Sequence, residues 1–290
     1  MKLDLLLAVA VGFGVSLADG GQAESLKPGG GEVRLLIRED DMGSFHAANL
    51  ACIDCYTNGI ARSVELMVNG PWFPEAAKLL RENPGLDVGV HLVLTSEWEN
   101  FKWAPKAWVP SLVDSNGFFF PMVWRNNLLP LHSSIQESNW RIADVEKELR
   151  AQIEIALRHV PRVTHLSCHM GFEGLEPRIR DLVRKLERDY HLQPETARAS
   201  LKYFPGWGSE RNADGRVRAF IANLEKLTPG TYLFVEHPAR GTPELETVGH
   251  KGYETVATDR EAVRRVYTSP EVNEAISRLK VKLISYANLR

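Results

Sequence analysis

Residues 88–94 read VGVHLVL, apolar but for one glycine and one histidine. A run with almost no polar alternation is a strand covered on both faces, as the strands of parallel sheets are. Working upstream, 63–68 (SVELMV) and 34–38 (RLLIR) are further strands. Helical residues lie between them at 47–58, stopped by Gly59, and at 74–82. Downstream, residues 142–159 form a helix with Val145, Leu149, Ile153, Ala156 and Leu157 on one apolar face. A strand at 163–168 and helices at 177–189 and 217–227 follow. A strand at 232–236, a helix at 270–279 and a last strand at 281–285 close the chain. Ser269 and Pro270 are the N-cap and first residue of that last helix. No internal repeat is visible. Alternating β and α units imply a parallel sheet with helices outside. About seven strands favour an irregular or incomplete (β/α) barrel over an open sheet, and in either case function belongs in the loops after the strand C-termini.

The chain has 290 residues, 44% hydrophobic and 25% charged, which suits one large α/β domain over 33–290. A formal charge of −2 gives no electrostatic reason to expect nucleic acid or an anionic membrane surface as partner. Lys2, an apolar run over 5–17, and the small-residue sites Ser16-x-Ala18 and Gly21-x-Ala23 read as a secretory signal peptide over 1–23. The run of about 13 apolar residues falls short of the roughly 20 that span a bilayer, so an uncleaved anchor ranks second. Residues 24–32, rich in Gly and Lys, read as a linker. These features predict export to the periplasm or beyond, with no stable membrane span after signal removal. Cys52 and Cys55 are spaced C-x-x-C inside a helix without the strand-turn context of a redox motif, and read as small buried residues.

The acids and imidazoles at or beside the strand ends carry the chemistry. Glu39-Asp40-Asp41-Met42-Gly43 follows the first strand, and His91 lies within the third. His165 and His169 accompany the strand at 163, and Glu236-His237 the strand at 232. Four strands thus aim carboxylates and imidazoles at one rim. One Asp and two His can hold a divalent ion with positions left open, and such an ion acidifies water and polarises a carbonyl. Of the adjacent carboxylates Asp40 and Asp41, one can bind the ion while the other takes a proton. Taken singly, each has a structural alternative: a turn or cap for the Asp pair, a hydrogen-bonded core residue for His91.

Several segments resemble those of the YdjC-like carbohydrate deacetylase family. Asp40-Asp41-Met42-Gly43 resembles its ADDFG-type motif, 63–71 (SVELMVNGP) its second-strand segment, and 84–95 (PGLDVGVHLVLT) its PGL-x-VG-x-HL-x-LT signature. Residues 163–169 (VTHLSCH) resemble its HLDSH segment and Glu236-His237-Pro238 its late HPG-like motif, in the same order along the chain. The resemblance implies a (β/α) barrel-like fold of the polysaccharide deacetylase type. It implies Asp41, His91 and His169 as ligands of one divalent metal ion, zinc first, with magnesium or cobalt as alternatives. Asp40 would then be the general base and His237 the general acid. Substrates would be acetylated sugars or oligosaccharides, such as those derived from chitin, with glycolipid precursors in related branches; a homodimer is compatible with it. Three departures stand out: Glu39 where a small residue is common, Ser167 at the acidic position of HLDSH, and Met170-Gly171 in place of a further histidine.

Residues 96–139 form a long insert with four of the seven tryptophans, read either as a wall of a sugar-binding cleft or as a satellite hydrophobic cluster. Two other functions remain open: the same site acting on a different ester or amide, and a non-catalytic carbohydrate-binding protein with a decayed site.

Overall fold

The described residues, 31–194 and 201–289 of a computed structural model, form seven parallel strands and eight α-helices. The strands are β1 (Val33–Met42), β2 (Ser63–Leu66), β3 (Asp87–Leu92), β4 (His165–Cys168), β5 (Lys202–Tyr203), β6 (Gly230–Glu236) and β7 (Lys282–Ile284). The order is β4-β3-β2-β1-β6-β5, with β7 also on β1. β6 follows one edge of β1 from Val33 to Glu39. On the other edge β7 pairs with Arg34–Leu36, and β2 takes over from Arg38. That divided edge lets the sheet curl, and the irregular barrel expected from the β-α alternation is present as a half-barrel. The signal peptide read over 1–23, and 24–30 of the linker, lie outside the described residues.

The helices are α1 (His46–Thr57), α2 (Phe73–Glu82), α3 (Ile142–His159), α4 (Pro177–Asp189), α5 (Ala213–Leu224), α6 (Pro243–Glu246), α7 (Val256–Tyr267) and α8 (Pro270–Arg278). β3 is buried at all six positions, as its apolar run requires. Val88, Val90 and Leu92 pack in one core with Val145, Leu149 and Ile153 of α3. A second core joins Phe234 of β6 to Phe220 of α5, Tyr267 of α7 and Ile276 of α8. Three helix starts show their caps: the Thr242 side chain accepts from the Leu245 N–H, the Ser269 side chain from the Val272 N–H, and the Asn212 side chain from the Gly215 N–H. The latter cap starts α5 at Ala213, before the expected Val217. The sequence reading contained neither α6, α7 nor β5.

The insert divides. Trp98, Trp103 and Phe119 are buried, while Trp108 and Trp124 are 81% and 42% exposed. Glu148 of α3 ties the insert down by accepting from the N–H groups of Lys106 and Ala107. No described helix is long and apolar enough to cross a membrane.

Candidate metal centre

β1 ends in a break. Its pairing with β2 shifts register between Glu39 and Met42, and Asp41 inside that break has φ 72°. A left-handed residue with a side chain costs on the order of 1–3 kcal/mol and persists only where its surroundings hold it. Here the Ser44 N–H donates to the Asp41 carbonyl and the Met67 N–H to the Met42 carbonyl. Gly43 (φ 102°) lies so close to β2 that a Cβ would fall 2.5 Å from the Met67 carbonyl oxygen. The Asp-Asp-Met-Gly turn is therefore locked against the end of β2, with the Asp41 carboxylate buried.

His91 comes from β3 and His169 directly follows β4. Asp41 Oδ1 is 3.5 Å from His91 Nε2 and 3.3 Å from His169 Nδ1, and the two nitrogens are 3.2 Å apart. A divalent ion held tetrahedrally at about 2.0–2.2 Å sets neighbouring donors roughly 3.3–3.6 Å apart, so this near-equilateral triangle fits one ion. Asp41 Oδ1 is buried and has no hydrogen-bond partner in the protein. Among the described residues these three form one group able to hold a metal.

Each donor is oriented from behind. His169 Nε2 meets Glu97 Oε2 at 3.1 Å, and His91 Nδ1 meets Ser167 Oγ at 2.7 Å. Arg260 Nη2 of α7 donates to Asp41 Oδ2 at 2.8 Å, its guanidinium lying over the Trp98 ring. The Trp103 ring packs edge-on against His169. Asp40 is gripped by Arg38, whose Nε and Nη2 donate at 2.7 and 2.6 Å, and its Oδ2 lies 3.8 Å from His91 Nε2. His237, just past β6, is 39% exposed with Nδ1 4.0 Å from Glu236.

These contacts separate the two imidazoles electrostatically. Burial drives His91 down to about 4, so it is neutral at pH 7. Burial acts the same way on His169, but Glu97 and Asp41 overcome it and push that ring up to about 10. Burial also opposes ionisation of Asp41; Arg260 first, then His237 and His169, outweigh it and hold the carboxyl well below its usual range. For His237, which is only partly buried, the cost of desolvation is outweighed by the Asp41 charge, and its affinity for a proton rises.

A sequence profile of the YdjC-like protein family matches residues 34–278. The chain belongs to this YdjC-like family. A protein named carbohydrate deacetylase 1 from Listeria innocua is 32% identical over 265 residues, covering 89% of this chain and all of that one. A carbohydrate deacetylase of Brevibacillus brevis is 26% identical over 272 residues, covering 89% and 100%. Among solved structures, an Enterococcus faecalis protein for which cellobiose-phosphate cleavage has been suggested aligns with TM-score 0.69 at 23% identity. That alignment covers 89% of this chain and 99% of the other.

In this YdjC-like chain Asp40, Asp41, His91 and His169 come together, with His237 close enough to act on the charge of Asp41. Two other expectations are corrected. His165 does not reach the rim: its Nε2 is held 2.6 Å from Glu65 Oε1, deep between the strands. Glu39 does not sit beside the donors, because strand alternation turns it away from Asp40 and toward Cys55 of α1. There burial, only partly offset by the Cys55 thiol, raises its pKa well above the usual carboxylate range. Cys52 and Cys55 are buried and unbridged. The sequence reading missed Arg38, Glu65, Glu97 and Arg260. Arg38 was recoverable, since it shares a strand face with Asp40, and so was Glu65, an acid inside an apolar strand. Glu97 and Arg260 carry no local signal.

Proposed function

We propose that this protein is a metal-dependent hydrolase that removes the acetyl group from an N-acetylated sugar or oligosaccharide. The observation that carries the reading is the Asp41–His91–His169 triangle with its buried, unpartnered Asp41 oxygen. The names of the relatives supply the substrate class. Asp41 Oδ1, His91 Nε2 and His169 Nδ1 would hold one divalent ion, zinc ahead of magnesium or cobalt. Bound there, such an ion acidifies water and polarises the acetyl carbonyl.

The chain's own residues do the rest. Asp40, fixed by two hydrogen bonds from Arg38, takes the proton as water oxygen bonds to the acetyl carbon. The C–N bond then breaks, and His237 gives its proton to the departing sugar nitrogen, leaving acetate and a free amine. Glu236, whose Oε2 lies 4.0 Å from His237 Nδ1, favours the protonated ring for that step. Trp103, packed edge-on against His169, helps hold that ring in place. The exported location read from residues 1–23 would place this activity outside the cytoplasm.

The test is acetate release from a panel of N- and O-acetylated mono- and oligosaccharides, with chelator and then with added zinc, magnesium or cobalt. Chelator-sensitive release from N-acetyl sugars, restored by one metal, is expected. Release from O-acetyl sugars alone would transfer the reading to an esterase. One bound metal with no turnover on any sugar would refute the proposed substrate class.

A further inference from the structure

Where the family's HLDSH segment has an acid, this chain has Ser167, and its hydroxyl is not idle. Ser167 Oγ is 2.7 Å from His91 Nδ1 on one side and donates a hydrogen bond to Glu65 Oε2 on the other. A serine hydroxyl has one proton to donate. Given to the Glu65 carboxylate, that proton leaves Ser167 Oγ as an acceptor only, so His91 Nδ1 must carry hydrogen. His91 Nε2 then presents its lone pair to the Asp41–His169 side of the triangle.

The architecture is arranged for this contact. Glu65 of β2, Gly89 of β3 and His165 of β4 are register partners across three strands, and His91 pairs with Ser167 two residues further on. A Cβ on Gly89 would lie 2.3 Å from Glu65 Oε2 and 2.5 Å from His165 Nε2. The bare glycine lets side chains from the two outer strands meet above the middle one. Glu65 is fully buried yet paired: His165 Nε2 lies 2.6 Å from Oε1, and Arg38 Nε 3.9 Å from the same oxygen. Because Arg38 also grips Asp40, one carboxylate braces both His91 and the Arg38–Asp40 pair.

We propose that Glu65, acting through Ser167, is the positioning residue of His91: it fixes the ring's tautomer and orientation, so that the carboxylate missing from position 167 is supplied from a different strand. This rests on the metal-centre reading for its purpose, but the tautomer can be measured without metal.

The experiment uses the full chain with imidazole nitrogens labelled, as wild type, Ser167→Ala, Glu65→Gln and the double variant Glu65→Gln/Ser167→Asp. Without metal, NMR should report hydrogen on Nδ1 of His91 in the wild type and a shift of that tautomer in both single variants. Competition with a chromophoric chelator should show zinc bound about 10- to 100-fold more weakly by each single variant. The double variant, whose carboxylate faces His91 directly, should recover most of the loss. Ser167→Ala removes one hydroxyl, so it gives a result even if Glu65→Gln fails to fold. Hydrogen on Nε2 of wild-type His91, or single variants with unchanged tautomer and zinc affinity, would overturn the proposal. A wild-type chain that binds no zinc would sink the metal centre instead, with the imidazole shifts still deciding the role of Glu65.

Discussion

Replacing Arg260 by leucine tests how the centre holds a negative charge in its interior. Arg260 and Asp41 are both buried, with side-chain exposures of 5% and 2% and a contact of 2.8 Å. Removing one partner of such a pair strands the other charge and costs about 3–5 kcal/mol, while leucine refills part of the volume beside Trp98. Urea unfolding at pH 7 in chelator should therefore show a loss of that size at an unchanged m-value. The pH dependence has a definite sign. Asp41 has its folded pKa depressed, so its contribution is present above the unfolded value near 3.8 and is lost as pH falls through the folded one. Arg260 is the main cause of that depression, so the Arg260→Leu penalty should be largest near neutrality and shrink toward pH 3. Zinc, supplying positive charge to the same carboxylate, should recover part of the stability. In an Asp41→Asn background the arginine loses its partner, and the cost of removing it should fall well below the wild-type value. A penalty under about 1 kcal/mol at pH 7, or an equal penalty in both backgrounds, would refute the reasoning.

Three further outcomes are expected. Glu97→Gln removes the charge behind His169 Nε2 and should weaken zinc binding about 10- to 100-fold by chelator competition; unchanged affinity would mean that Glu97 does not orient the ring. His237→Gln should leave zinc affinity intact while acetate release from an N-acetyl sugar falls about 10²- to 10⁴-fold. An acetyl ester with a good leaving group should suffer less, and equal losses on both would remove His237 from the proton-donating role. Glu39→Gln should stabilise the protein as pH rises. The folded carboxyl keeps its proton while the unfolded chain loses it above about 4.5, costing the wild type about 1.4 kcal/mol per pH unit in that window. Thermal melts from pH 4 to 7 that run parallel for the two proteins would contradict this.

What the sequence disclosed follows from how local each determinant is. β3 was legible because it is buried on both faces, and that shows in six consecutive residues. α3 and α4 were legible at both ends because their apolar stripes are long and regular. α7 was not. Its buried positions include Arg260, so its inner face reads as polar in isolation. The burial of Arg260 is understandable only from Asp41, 219 residues away. The donors themselves were legible for a topological reason: parallel strands send all their C-termini to one rim, so acids and imidazoles at those ends converge wherever the helices lie.

The same argument explains Ser167. Read along the chain, a serine at an acidic position looks like the loss of a partner for a histidine. Read across the sheet, the relevant neighbours are two strands away, with Glu65 lying 102 residues upstream and separated from Ser167 by the bare Gly89. A buried histidine needs a partner for its second nitrogen, but that need fixes a point in space rather than a position in the chain. Any strand whose side chain reaches that point can meet it. Glu65 and Gly89 are both odd residues for apolar strands: an acid with no visible partner, and a glycine that weakens the strand. Each makes sense only with the other. Two such anomalies that are register partners on neighbouring parallel strands are therefore a stronger sign of a site than either alone, and here they lie one hydrogen-bonded link, Ser167, from His91.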